Sequence, residues 1–366
     1  MSNKQGIRLL SGSAEEVGAK LQENFERMLE TTRRWMEILT FDPDPETGLT
    51  PKNIVWRKNK AKLYRYVCPG EIKYRTPVLF IYALINKAYI LDLSPGMSLI
   101  EHLVNEGFDV YLLDWGEFQW EDRDLRFDDF VCDYIARAVY KVCQISGTES
   151  LTMAGYCMGG TMTAMYAALY DRPEVKNIIY LAAPIDFENA GLSSIWLKPP
   201  GFDPDKVADV YKLVPKEFID TGVKMLKPVN NFWGTYTRLW KNLDEGVSIK
   251  SWKALNKWMN DNVHFPGAAY RQWIKEFYQE NKLIKNEFRI KGRTVDLKNI
   301  KASLLVLAGE NDHIVLPHQT KAILDLSSST DKEFHIFPIG HGGLVFGSVA
   351  KKQVYPTISN WLAERS

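Results

Sequence analysis

The chain has 366 residues, and its 46 Lys and Arg against 45 Asp and Glu give a formal charge of +1, which offers nothing to a polyanion and makes no case for nucleic acid. With 45% hydrophobic and 25% charged residues the composition is that of a folded globular protein, long enough for one large α/β domain with an insertion. The longest apolar stretches, such as 77–85, fall short of the roughly 18 to 20 residues that a membrane span requires, and the N-terminus has no signal-peptide pattern, so no transmembrane segment and a cytoplasmic location are expected. Four scattered cysteines, Cys68, Cys132, Cys143 and Cys157, fit a reducing compartment.

In chain order, Ser13 and Glu16 stand in capping-box spacing, and Val17, Leu21, Phe25, Met28, Trp35 and Leu39 follow at helical steps. The pattern predicts an amphipathic helix over 13–39, its apolar face packed on its own domain or kept for a partner. A Pro- and Asp-rich linker over 41–51 closes an N-terminal segment, 1–47.

From residue 61 short apolar runs alternate with helical patterns. Strands are expected at 62–68, 77–85, 108–115, 150–156, 176–184, 303–309 and 333–339, with helices between them, for example at 98–107 and 127–145. Uninterrupted apolar strands separated by helices predict a doubly wound, mostly parallel α/β sheet. The alternation breaks over 187–295, a Lys- and Trp-rich stretch with Trp196, Trp233, Trp240, Trp252, Trp258 and Trp273, six of the eleven tryptophans. The expected organisation is a core of 48–186 and 296–366 with an inserted helical lid, 187–295.

The most informative residues are GYCMGG, Gly155 to Gly160, between an apolar strand and a helical pattern. This is the spacing of a nucleophile elbow with Cys157 in place of serine: the turn is tight enough that the residues two before and two after must be small. The following helix aims its N-terminus at the sulfur, and the Met158 N–H can face a developing oxyanion. A second donor is expected from the loop after 77–85, from Leu84 or Ile85, with Ile85 preferred. Cys68, Cys132 and Cys143 lack small flanking residues and read as packing.

In this fold the acid and then the histidine follow the nucleophile. Asp312 follows the strand SLLVLAG, and His341, flanked by glycines, follows EFHIFPI. Asp114, ending YLLDWG, competes as the acid but precedes the nucleophile. His313 reads as a loop residue or a substrate contact; His102, His264, His318 and His335 lie in less telling contexts. Neither HExxH, P-loop, dinucleotide fingerprint nor zinc spacing occurs, so no metal or cofactor is expected.

The strings YALINKAYILDLSPGMSLIEHL, FDVYLLDWG, GYCMGGTMT, FYQENKLI and DHIVLPHQ resemble the short, two-component polyhydroxyalkanoate synthases, the Bacillus-type catalytic subunit being the closer likeness, over about residue 48 to Trp361. The resemblance implies an α/β-hydrolase-type core with a lid and polymerisation of (R)-3-hydroxyacyl-CoA into polyester with release of CoA. It places the family's nucleophile, acid and histidine on Cys157, Asp312 and His341. It further implies short-chain acyl groups, a separate helper subunit and work at a polyester granule surface, and leaves open the oligomeric state, a homodimer included. A Cys-dependent thioesterase or dienelactone-hydrolase-like enzyme, and a noncatalytic granule scaffold, are the competing readings.

Overall fold

In a computed structural model, the described residues are 45–169, 172–226 and 249–366, with helical positions at Gln22, Glu23, Phe25, Glu26, Met28–Glu30, Arg33 and Met36. The chain divides into two units, Met1–Pro45 and Glu46–Ser366. In the first, the described positions are helical and Phe25 and Met28, two of the predicted apolar positions, are exposed. Val17, Leu21, Trp35 and Leu39, like Trp233 and Trp240 of the expected lid, lie outside the described residues.

The second unit is built on an eight-stranded sheet: β1 Lys52–Lys58, β2 Ala61–Tyr66, β3 Tyr74–Ile81, β4 Phe108–Asp114, β5 Leu151–Tyr156, β6 Val175–Leu181, β7 Ser303–Gly309 and β8 Lys332–Phe337. Its order is β1-β2-β4-β3-β5-β6-β7-β8. The strand β2 runs antiparallel to both β1 and β4, and the remaining pairs are parallel. The order reverses at β3, so right-handed crossovers place α1, Leu99–Glu106, on one face and α2, Ala136–Ser146, and α3, Met158–Leu169, on the other. The reversal opens a crevice at the carboxyl ends of the central strands, where such sheets place their sites.

Local chemistry sets the boundaries. Ser98 caps α1 by accepting the Glu101 N–H at 2.8 Å, and Gly107, at φ +99°, ends it in the left-handed region. Every residue of α3 is buried, which is why its sequence lacks an amphipathic pattern. Two expected strands prove shorter, ending at Ile81 and Leu181. The residues beyond them, Tyr82 to Leu84 and Ala182 to Ala183, are apolar because they are buried as loops. The strand β1, absent from the sequence reading, is a polar sheet edge, KNIVWRK, pairing with β2 through a turn at Asn59.

The inserted stretch supplies α4 Pro204–Tyr211, α5 Lys216–Met225, α6 Ile249–Asn260 and α7 Gly267–Gln272, the last continuing in wider turns through Gln279. Several contacts join it to the sheet. The loop after β3 is tied to it by the Val263 N–H donating to the Ile85 carbonyl at 3.1 Å. The Trp273 and Phe277 rings pack on Phe127 of the core with centroids 5.7 Å apart and on Phe187, where the stretch begins, at 5.2 and 5.4 Å, and the Gln272 carboxamide accepts the Phe127 N–H at 2.9 Å. Trp273 is thus a core residue, whereas Trp196 is exposed and Trp258 half-buried, its indole donating to the Lys87 carbonyl at 2.7 Å.

Candidate active site

Cys157 sits between β5 and α3 with φ +53°, a strained left-handed conformation for a residue with a side chain. The strain is held by the backbone: its N–H donates to the Leu181 carbonyl of β6 at 2.9 Å and its carbonyl accepts the Gly160 N–H at 2.8 Å. The glycines are obligatory on sterics. A Cβ on Gly155 would lie 2.3 Å from Gly160 Cα, one on Gly159 2.1 Å from the Ile81 carbonyl oxygen, and one on Gly160 2.3 Å from Ala183 Cβ. A strand-to-helix turn pressed this tightly against its neighbours lifts the Cys157 side chain, half-buried, out of the carboxyl end of the sheet. Met158 opens α3, so its N–H has no intrahelical acceptor.

Asp312 follows β7 and is buried. Its Oδ1 accepts the Ile314 and Val315 N–H groups at 2.9 and 3.0 Å, which fixes the carboxylate and leaves Oδ2 to accept from His341 Nδ1 at 2.7 Å. With Nδ1 committed, His341 Nε2 is left for Cys157, with which the imidazole also hydrogen-bonds. Burial opposes charging this imidazole, but the Asp312 charge, then the Cys157 charge and hydrogen bonds to both, carry the His341 pKa well above the ordinary histidine value. The three residues therefore stand as thiol, imidazole and carboxylate in one line, brought together from loops 155 positions apart in the case of Cys157 and Asp312 (312 − 157).

The other sequence candidates lie elsewhere. Asp114 caps its own turn, accepting the Gly116 N–H at 3.0 Å. His102 contacts Ser359, His264 accepts from the Lys216 N–H, His318 donates to the Asn189 carbonyl and His335 pairs with Glu333. His313 stays beside Asp312 in the loop. Cys68 donates to the Val104 carbonyl at 3.3 Å, and burial pushes the Cys132 and Cys143 thiols up.

Three tyrosines of the site escape a search for nucleophile, base and acid. Tyr156 precedes the nucleophile, donates to the His341 carbonyl at 3.1 Å and places its ring 5.1 Å from the imidazole. Tyr82 stacks on Tyr156. Tyr278, packed on Phe187, feels the charges of Cys157 and Asp312; burial first, then those charges, push its phenol far above its usual value. Each lies in a string that carried the family likeness: YALINK, GYCMGG and FYQENKLI. Among the described residues no group of three or more His, Cys, Asp or Glu side chains is arranged to hold a metal ion, and no helix is long and apolar enough to cross a membrane.

Residues 76–348 match the model of the alpha/beta hydrolase fold, and residues 4–103 that of the poly-beta-hydroxybutyrate polymerase (PhaC) N-terminus. A poly(3-hydroxyalkanoate) polymerase subunit PhaC of Synechocystis sp. is 34% identical over 94% of each chain. The chain belongs to the polyhydroxyalkanoate polymerase family. It is accordingly an enzyme, an acyltransferase. The PhaC subunit of Haloferax mediterranei is 39% identical over 87% of this chain, which spans 65% of that longer protein. A soluble variant of monoglyceride lipase from Saccharomyces cerevisiae, 17% identical with a TM-score of 0.55, covers 89% of this chain and 98% of its own, a likeness of fold.

Proposed function

We propose that this polymerase joins (R)-3-hydroxyacyl groups from CoA thioesters into polyester through an acyl-enzyme on Cys157. The observation that carries the reading is the Asp312–His341–Cys157 line at the mouth of a strained elbow. His341 takes the thiol proton, and the sulfur attacks the thioester carbonyl. The carbonyl electron pair moves to oxygen beside the Met158 N–H and the loop bearing Ile85, and collapse expels CoA thiolate, which receives the proton from His341. Thiol-for-thiol exchange is nearly balanced in energy, so the acyl group stays activated. A 3-hydroxyl, deprotonated at the same imidazole, then attacks a second acyl thioester, extends the ester and frees a thiol. Asp312 holds the Nδ1 proton and stabilises the imidazolium. The steps balance with these groups alone, so the reading calls on no metal or cofactor.

The raised His341 pKa supports it, because an imidazole that readily accepts a proton beside a sulfur is suited to generating thiolate. The inserted stretch, fastened through Trp273 and Val263, covers the crevice and gives alcoholysis its advantage over hydrolysis. Short-chain acyl groups, a helper subunit and a cytoplasmic granule surface complete the proposal, by likeness to the family. The acyl-enzyme is tested by intact mass after brief exposure to butyryl-CoA, which has no 3-hydroxyl to propagate. The expected result is one added acyl group located on Cys157, absent in Cys157→Ala; acylation that survives Cys157→Ala contradicts it.

A further inference from the structure

Tyr82 is the first residue beyond β3 and is fully buried. Its ring lies parallel to that of Tyr156, with centroids 5.5 Å and planes 9° apart, and its carbonyl accepts the Trp115 indole N–H at 2.9 Å. The side chain is therefore fixed by packing and by its own backbone. Its hydroxyl, equally inaccessible, has no acceptor for its proton among the described residues. On the cap side the Trp258 indole N–H donates to the Lys87 carbonyl at 2.7 Å and also reaches the phenol oxygen; an indole only donates, so it cannot take the phenol proton. Burying a hydroxyl whose proton has no acceptor is costly, and a native site that keeps one needs a use for it.

Position supplies the use. The carbonyl just before Tyr82, that of Ile81, is the one a Cβ on Gly159 would strike, so Tyr82 leaves the sheet directly beside the elbow. Burial first, then the Cys157 charge, raise the Tyr82 phenol, which sets its hydroxyl in the field of the sulfur and keeps it protonated as a donor. The loop after β3 is also where this fold finds its second oxyanion donor. Ile85, three residues further on, is tied by its carbonyl to Val263 of the cap.

We infer that Tyr82 is a catalytic residue whose hydroxyl donates a hydrogen bond to the carbonyl oxygen of the bound thioester, the second donor beside the Met158 N–H. The inference rests on the acyl-transfer reading of Cys157. As the sulfur–carbon bond forms and the carbonyl pair becomes an oxyanion, the phenol keeps its proton and the bond shortens. When the oxyanion collapses and CoA leaves, the phenol returns to its starting state.

The test is Tyr82→Phe, which keeps the stack on Tyr156, assayed by CoA release from 3-hydroxybutyryl-CoA. Loss of one oxyanion donor should lower kcat about 100-fold with KM changed less than about threefold. The unfolding midpoint should hold or rise, because a buried O–H donor with no acceptor is removed, and alkylation of Cys157 by iodoacetamide should keep its wild-type rate. A kcat within about threefold of wild type, a change confined to KM, or a loss of kcat that comes with a lower midpoint or slower alkylation overturns the inference while leaving the acyl-transfer reading intact. Wild-type protein that releases no CoA, alone and with a candidate partner subunit, overturns both.

Discussion

The position where a Gly159 Cβ would stand lies 2.1 Å from the Ile81 carbonyl oxygen, so the helix that follows the nucleophile and the end of the central strand β3 touch backbone to backbone. Neither side can yield, since one is the first turn of α3 and the other is the last residue of a paired strand. Gly159→Ala must therefore open the elbow. The expected cost is about 1–3 kcal/mol of stability, with loss of Cys157 acylation in whatever protein still folds; denaturant midpoints and acyl-mass measurements check both. Full activity in Gly159→Ala contradicts the account of the turn.

His341 supplies a pH-dependent prediction. Its folded pKa is raised, so the stability it contributes is fully present below its unfolded value, about 6.5, and is lost as pH rises through the folded value. The Cys157 charge and its hydrogen bond both help to raise it. In Cys157→Ala the imidazole pKa should fall, and the decline of unfolding free energy with pH should move to lower pH. NMR titration of His341 and denaturant melts across pH 5.5 to 10 read the shift; an unchanged titration contradicts the coupling.

Asp312 holds His341 through Oδ2 while its other oxygen is fixed by two backbone N–H groups. Asp312→Asn keeps the shape but can offer its amide to Nδ1, favouring the wrong tautomer. CoA release should fall on the order of 10³- to 10⁴-fold, and the His341 pKa should drop because its largest supporting charge is gone. Asp114→Asn, whose side chain holds the turn at Gly116, should leave turnover within a few-fold.

The sheet and the convergence of Cys157, Asp312 and His341 were legible because each left a local mark. Continuous apolar runs announced β5 and β7, glycines at 155 and 159 announced the elbow, and loops after strands announced Asp312 and His341. What was not legible has a physical cause in each case. The strand β1 is polar because it is an edge, and the run 77–85 overshoots because a buried loop is as apolar as a strand. Tyr82 and Tyr278 were missed because an aromatic residue next to a strand or on a helix looks like packing until its hydroxyl is located. Trp273 joins Phe127, Phe187 and Phe277 in packing the cap to the core, so its role is structural first.

That packing makes a further prediction. Trp273→Ala removes a buried ring shared by cap and core and should cost about 3–5 kcal/mol, lowering the denaturant midpoint. In the protein that remains folded, a looser cover should admit water, so the share of CoA release that yields free 3-hydroxy acid should rise. An unchanged partition between acid and polyester contradicts the role assigned to the cap.

The central claim is tested most directly by supplying purified protein, with and without a candidate partner subunit, with 3-hydroxybutyryl-CoA and measuring CoA, free acid and insoluble polyester together. The account predicts that CoA release is matched by ester bonds in insoluble polyester with little free acid, and that both vanish in Cys157→Ala. Free 3-hydroxybutyrate appearing mole for mole with CoA, or polyester formed equally by Cys157→Ala, contradicts it.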